Sequence, residues 1–168
     1  FIESAPRDRF EISNKSTQGV QIASIDIDLK GSKGNLIFDT IEGGSGVEVF
    51  QPYRTTNGKE LLVLEPKVAD GAEQIALVFK QFGPDKAFSF SIDVDDRLAN
   101  SELGNIRVSG SEMQGAKMTI KFQQGAEMRT IFKEAIGKYT VNESRMLRYA
   151  DRRRKKEVFK KYMNSITN

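Results

Sequence analysis

The sequence predicts a mainly β protein: an antiparallel, immunoglobulin-like β-sandwich followed by a C-terminal basic helical segment. Three observations carry that expectation. Apolar and polar residues alternate in short runs through the first 124 positions, and Gly, Asn and Asp punctuate those runs at close spacing. After Gly125 the apolar period lengthens to that of a helix. Closely spaced short strands with turn residues between them build antiparallel sheets, and no stretch before residue 125 has the helical period that a βαβ architecture needs. The expected organisation is a β-sandwich domain over residues 1–124 and a basic amphipathic helical segment over residues 125–168.

The elements follow in order. "RFEISN" (residues 9–14) alternates with Phe10 and Ile12 on one face. "VQIASIDIDL" (20–29) turns Val20, Ile22, Ile25, Ile27 and Leu29 inward, and the parity change at Ala23-Ser24 predicts a bulge. "NLIFDT" (35–40) follows a Gly-Ser-Lys-Gly turn. "GGSG" (43–46) reads as a hairpin turn into "VEVFQPY" (47–53), where Pro52 marks a strand end or edge. It is a poor phosphate loop, because no helix follows to supply an N-terminal dipole. "ELLVLEP" (60–66), "QIALVFKQF" (74–82), "AFSFSIDVD" (87–95), "NIRVSG" (105–110) and "AKMTIKFQQ" (116–124) complete the strand set. Beyond it, "AEMRTIFKEAIGK" (126–138) spaces Met128, Ile131, Phe132, Ala135 and Ile136 as the stripe of an amphipathic helix. "TVNE" (140–143) has the form of a capping box and opens a further helical stretch to Ile166.

Composition narrows the function classes. The chain has no Cys and no His, which excludes disulfides, thiolate or imidazole metal sites and Ser-His or Cys-His catalysis. No apolar run approaches the length of a membrane span. The chain has no initiator Met and no signal-like apolar region, so a processed N-terminus or a fragment is expected. The net charge of +3 hides an asymmetry: residues 1–125 hold 14 Lys+Arg against 18 Asp+Glu, and residues 126–168 hold 12 against 5. An acidic body with a basic tail concerns partners rather than fold.

Five stretches together resemble a bacterial family of small secreted β-domains known as aggregation factor core proteins. They are "FIESAPRDRFEI" (1–12), "GNLIFDT" (34–40), "GVEVFQPY" (46–53), "SFSIDVDD" (89–96) and "IRVSGSEMQGA" (106–116), and the likeness spans residues 1–122. The resemblance implies an exported β module, an adhesive role and a signal peptide upstream of Phe1. The basic tail departs from that family.

The chemistry-bearing candidates are carboxylates. In "FSFSIDVDD" the alternation turns Phe88, Phe90, Ile92 and Val94 inward and Asp93 and Asp95 outward, about 6.5–7 Å apart. "SIDIDL" repeats the arrangement with Asp26 and Asp28. The first reading is a solvated strand face, with Asp96 starting the exit turn. The second is a calcium site of Asp26, Asp28, Asp93, Asp95 and Asp96, in which Ca2+ relieves the repulsion between the two D-x-D strands if they pair. Carboxylate pairs also serve glycoside hydrolysis. That reading is the weaker one, because the chain has no Trp and its Phe residues are committed to the core.

The tail carries Arg145, Arg148, Arg152, Arg153, Arg154, Lys155, Lys156, Lys160 and Lys161. A solvated helix face accounts for this run, and so does a grip on an anionic partner. The partner classes are another protein subunit, a second copy of the chain, an acidic glycan, or nucleic acid through phosphate contacts. Together these features predict a non-enzymatic module at the cell surface or outside the cell, self-associating or binding acidic partners with calcium assistance. The rival is a cytoplasmic or virion-associated structural protein whose tail binds nucleic acid.

Overall fold

The computed structural model of the chain describes residues 1–3, 8–17, 19–46, 49–96, 108 and 110–133. Within these, the strands are β1 (Arg9–Ser13), β2 (Ile22–Asp28), β3 (Ile37–Asp39), β4 (Arg54–Asn57), β5 (Gln74–Phe82), β6 (Ala87–Ser91), β7 (Asp93–Asp95), β8 (Lys117–Phe122) and β9 (Glu127–Ile131). The protein is mainly β, and every strand pair among the described residues is antiparallel. One sheet has the order β1-β6-β4, a second β5-β2-β8-β9, and β3 and β7 form a ribbon. No helix among the described residues is long and apolar enough to cross a membrane.

The alternation in the sequence sets these strands. β5 buries Ile75, Leu77, Phe79 and Phe82 while Gln74, Ala76, Val78 and Lys80 stay exposed. In β2 the register shifts between Ile22 and Ser24 against both neighbours, where the parity change predicts a bulge. The inward sets of the two larger sheets meet in one cluster. Phe10, Phe88 and Phe90 come from the first sheet and Ile25, Ile27, Leu77 and Phe79 from the second. Phe79 meets Phe88 edge-on at 5.1 Å, and Phe10 stacks on Phe90 at 4.8 Å. Each such buried side chain contributes about 1.5–3 kcal/mol by leaving water.

Three expected elements differ. Residues 49–53 are not a strand. Gln51 spends its N–H on the Asp39 carbonyl and its carbonyl on the Asp93 N–H, and Pro52 has no N–H to offer a ladder. The next strand begins only at Arg54. Residues 60–66 open with a 3-10 turn over Lys59–Leu61 after Gly58 at φ 75°. That turn buries Leu61 and Leu62 and leaves Val63 and Leu64 exposed, so the apolar run is not one strand face.

The third difference is β9, which occupies the start of the amphipathic helix expected over residues 126–138. Gly125, at φ 86°, closes a hairpin, and residues 127–131 pair in register with β8. The Phe132 N–H and carbonyl continue the contact, to the Ala116 carbonyl and the Gly115 N–H. The open edge of β8 supplies a ladder that local helical spacing does not outweigh, and Phe132 reaches the core beside Phe10 at 6.3 Å. The rest of that expected helix, the stretch from residue 140 to 166 and most of the strand expected over 105–110 lie outside the described residues.

Candidate metal centre

The break between β6 and β7 builds the centre. β6 runs in the first sheet to Ser91, and the same chain then leaves it after Ile92 to pair with β3. In the β3–β7 ribbon, Phe38 lies opposite Val94, Asp39 opposite Asp93 and Ile37 opposite Asp95. Cross-strand partners share a face, so Ile37, Asp39, Asp93 and Asp95 project to one side and Phe38 and Val94 to the core side. One carboxylate oxygen from each of Asp39, Asp93 and Asp95 lies within 4.8 Å of the other two.

The face that alternation assigns to solvent is covered. Asp95 is 4% exposed, Asp39 2% and Asp96 3%, while Asp93 is half-buried. Asp93 and Asp95, expected on a solvated face, are instead covered because two other segments lie against β7. The Asp8 carbonyl accepts from the Ile92 N–H, and Asp8 Oδ2 accepts from the Val94 N–H at 3.3 Å. From the other side Gln51 bonds both Asp39 and Asp93 through its backbone. Asp96 does not open an exposed turn: it is buried, and its N–H donates to Asp95 Oδ1 at 2.7 Å.

The glycine-rich turn at 43–46 takes part as well. Asp70, drawn beside β3 by the Phe38–Ala72 bridge, accepts from the Thr40 N–H at 2.9 Å and the Ser45 N–H at 2.7 Å. Those bonds hold the turn against the acids. A Cβ added at Gly46 would overlap Asp39 Oδ2, and one at Gly44 would overlap Asp70 Oδ2. Glycine is needed there for close backbone approach.

Asp39 then has two distinct oxygens. Its carboxyl shares a hydrogen bond with Asp70, yet Asp39 Oδ1 is buried with no hydrogen-bond partner among the described residues. An orphaned acceptor in a dry interior costs about 1–3 kcal/mol, more when charged. Directly opposed like charges add repulsion.

The acidities show the strain. Burial pushes Asp93 up to about 9, with the Asp8, Asp95 and Asp39 charges adding to it. Burial, then the hydrogen bond with Asp70, lifts Asp39 to about 6. Asp70, held down first by the Thr40 N–H, falls to about 2. Asp93 thus keeps a proton in the folded chain that the unfolded chain releases near pH 4. Over that window the folded state binds more protons, so stability falls as pH rises. In EDTA, the thermal midpoint of the wild-type chain should decline from pH 5 to pH 9. Asp93→Asn, which has no proton to lose, should flatten most of that decline; parallel slopes by circular dichroism would count against the assignment.

The sequence-expected ligands divide. Asp93 and Asp95 join the centre. Asp26 and Asp28 lie on β2, which pairs with β5 and β8 rather than with β7, so the two D-x-D strands do not share a ladder. Asp26 faces Lys121 Nζ at 3.9 Å, and Asp28 Oδ1 accepts from the Lys30 N–H at the strand exit. Asp39, missed from the sequence, replaces them. Its signal was an acid two positions after Ile37, on the same side of a strand otherwise apolar. The basic residues Arg145, Arg148, Arg152, Arg153, Arg154, Lys155, Lys156, Lys160 and Lys161 lie outside the described residues.

Chemically, three carboxylates suit a hard divalent cation. Calcium–oxygen distances of about 2.3–2.6 Å allow ligand oxygens up to about 5 Å apart in one shell, which the cluster satisfies. Without His or Cys the chain offers no imidazole or thiolate donor.

Residues 113–168 match a family of unknown function (DUF6577). That third of the chain takes in the β8–β9 hairpin. No curated protein and no solved structure matches the chain.

Proposed function

We propose that this chain is a non-enzymatic, exported structural or adhesion module, an immunoglobulin-like β-sandwich whose fold is completed by Ca2+ at Asp39, Asp93 and Asp95. The observation that carries the reading is Asp39 itself. It is nearly fully buried, directly opposed to a second acid, and its Oδ1 has no hydrogen-bond partner among the described residues. A divalent cation relieves both the orphaned acceptor and the repulsion. Bound there, it ties β3 to β7 where the chain passes from one sheet to the ribbon. The burial of these acids favours a structural ion over a catalytic pair, which must reach substrate. Extracellular modules typically hold calcium with dissociation constants of about 0.1–1 mM, suited to calcium-rich surroundings. The likeness of residues 1–122 to aggregation factor core proteins supports export and adhesion, and the basic tail supplies charge for a second copy or an acidic glycan.

Calorimetric titration of the full chain with CaCl2 tests the ion. Binding heats are expected for the wild type and absent for Asp39→Asn/Asp93→Asn; equal, negligible heats for both would remove calcium from the proposal. Sedimentation velocity with and without Ca2+, and with a sulfated glycan, tests assembly. A monomer that ignores both would remove adhesion.

A further inference from the structure

We infer that Gln51 is a fourth, uncharged oxygen ligand of the Asp39–Asp93–Asp95 centre, and that the mixed carboxylate–amide shell selects Ca2+ over Mg2+. This rests on the cation-binding reading above and adds to it a specificity-determining residue.

Gln51 is threaded between the two opposed acids. Its N–H donates to the Asp39 carbonyl at 3.1 Å, and its carbonyl accepts from the Asp93 N–H at 3.1 Å. Its side-chain amide is oriented from one end only: Nε2 donates to Ser91 Oγ at 2.6 Å. At the other end Oε1 is buried and has no hydrogen-bond partner among the described residues. Asp39, whose carbonyl accepts the Gln51 N–H, has the same defect at its Oδ1. Once Asp39 is ionised, two orphaned acceptors cannot satisfy each other, and a bound cation displaces the proton that Asp93 otherwise keeps. A shared positive partner satisfies both, and the acids beside them fix its charge as that of a divalent cation.

The donor set then discriminates between ions. Calcium accepts six to eight oxygens, including Gln and backbone carbonyls, in irregular geometry. Magnesium demands a regular octahedron at about 2.0–2.1 Å and keeps most of its waters. Three carboxylates and a neutral amide oxygen in irregular arrangement suit the larger, more readily dehydrated ion.

The test uses the full chain with three variants: Gln51→Met, which keeps the side chain's length and loses its oxygen, Gln51→Glu, and Asp93→Asn. Titrations with CaCl2 and MgCl2 are followed by calorimetry. Terbium luminescence decay in H2O and D2O counts the waters on the bound ion. Gln51→Met should weaken Ca2+ binding at least tenfold, leave the weak Mg2+ binding unchanged and admit about one more water to terbium, by analogy with losses on perturbing metal shells. Wild-type Ca2+ affinity and an unchanged water count in Gln51→Met would overturn the role of Gln51. Wild-type affinity in Asp93→Asn would instead bring down the cation site itself, so the two failures are distinguishable. Should Gln51→Met not fold, Gln51→Glu decides: calcium affinity at or above wild type supports ligation at this position, and its loss overturns it.

Discussion

Saturating Ca2+ is expected to raise the thermal midpoint of the wild-type chain by about 10 °C and to leave Asp39→Asn/Asp93→Asn where it started. The size follows from mass action. A ligand at a hundredfold excess over its dissociation constant, binding only the folded state, adds about 2.7 kcal/mol. For a domain of this length, each kcal/mol moves the midpoint by roughly 2–8 °C. The double variant carries a second signature. With the opposed acids Asp39 and Asp93 neutralised, the calcium-free protein should be at least as stable as wild type at pH 8, because Asp95 then faces two neutral amides in place of two further carboxyls. A structural role without an ion predicts otherwise, since calcium would then move neither protein. Differential scanning calorimetry in EDTA and in CaCl2 separates the cases.

The second large effect is in the core. Phe90→Ala is expected to cost about 3–5 kcal/mol, the usual range for deleting a buried aromatic ring. Phe90 is fully buried, stacked on Phe10 at 4.8 Å, and in ring contact with Tyr53 at 5.3 Å and Phe88 at 6.0 Å. Its removal leaves a cavity bounded by rings from three strands or loops, too stiff to collapse around it. The same strand continues through Ile92 into Asp93, so the loss should also weaken calcium binding. Urea denaturation gives the first quantity and calcium titration of the folded fraction the second. A cost below about 1 kcal/mol would mean that the rings repack, against the geometry here.

How far the sequence could be read depends on the range of the interaction concerned. Alternation placed β1, β2, β5, β6 and β8, because a strand with one buried face writes its own period into the chain. The bulge in β2 was legible for the same reason, as a break in parity between Ile22 and Ser24. Where pattern and partner disagree, the partner prevails. Met128 and Ile131 have helical spacing, yet an open edge on β8 and a glycine turn at Gly125 draw that segment into the sheet. Gln51 and Pro52 lie in an apolar, strand-like phrase, yet Gln51 serves as a bridge between two acids and pairs with no strand of its own.

The acids follow the same rule. The sequence alone determined a mainly β chain, the inward course of Phe88, Phe90, Ile92 and Val94, and the lack of any thiolate or imidazole ligand. It also placed Asp93 and Asp95 on one side of a strand. Only the tertiary structure decided what covers that side. Asp39, Asp8 and Gln51 are separated from Asp93 by between 42 and 85 residues, and their meeting depends on which strand β7 pairs with after it leaves β6. Strand pairing is a long-range choice made by the whole core, and an alternating pattern is silent about it. For the same reason Asp26 and Asp28, with the identical D-x-D phrase, became an ordinary outer face beside Lys121.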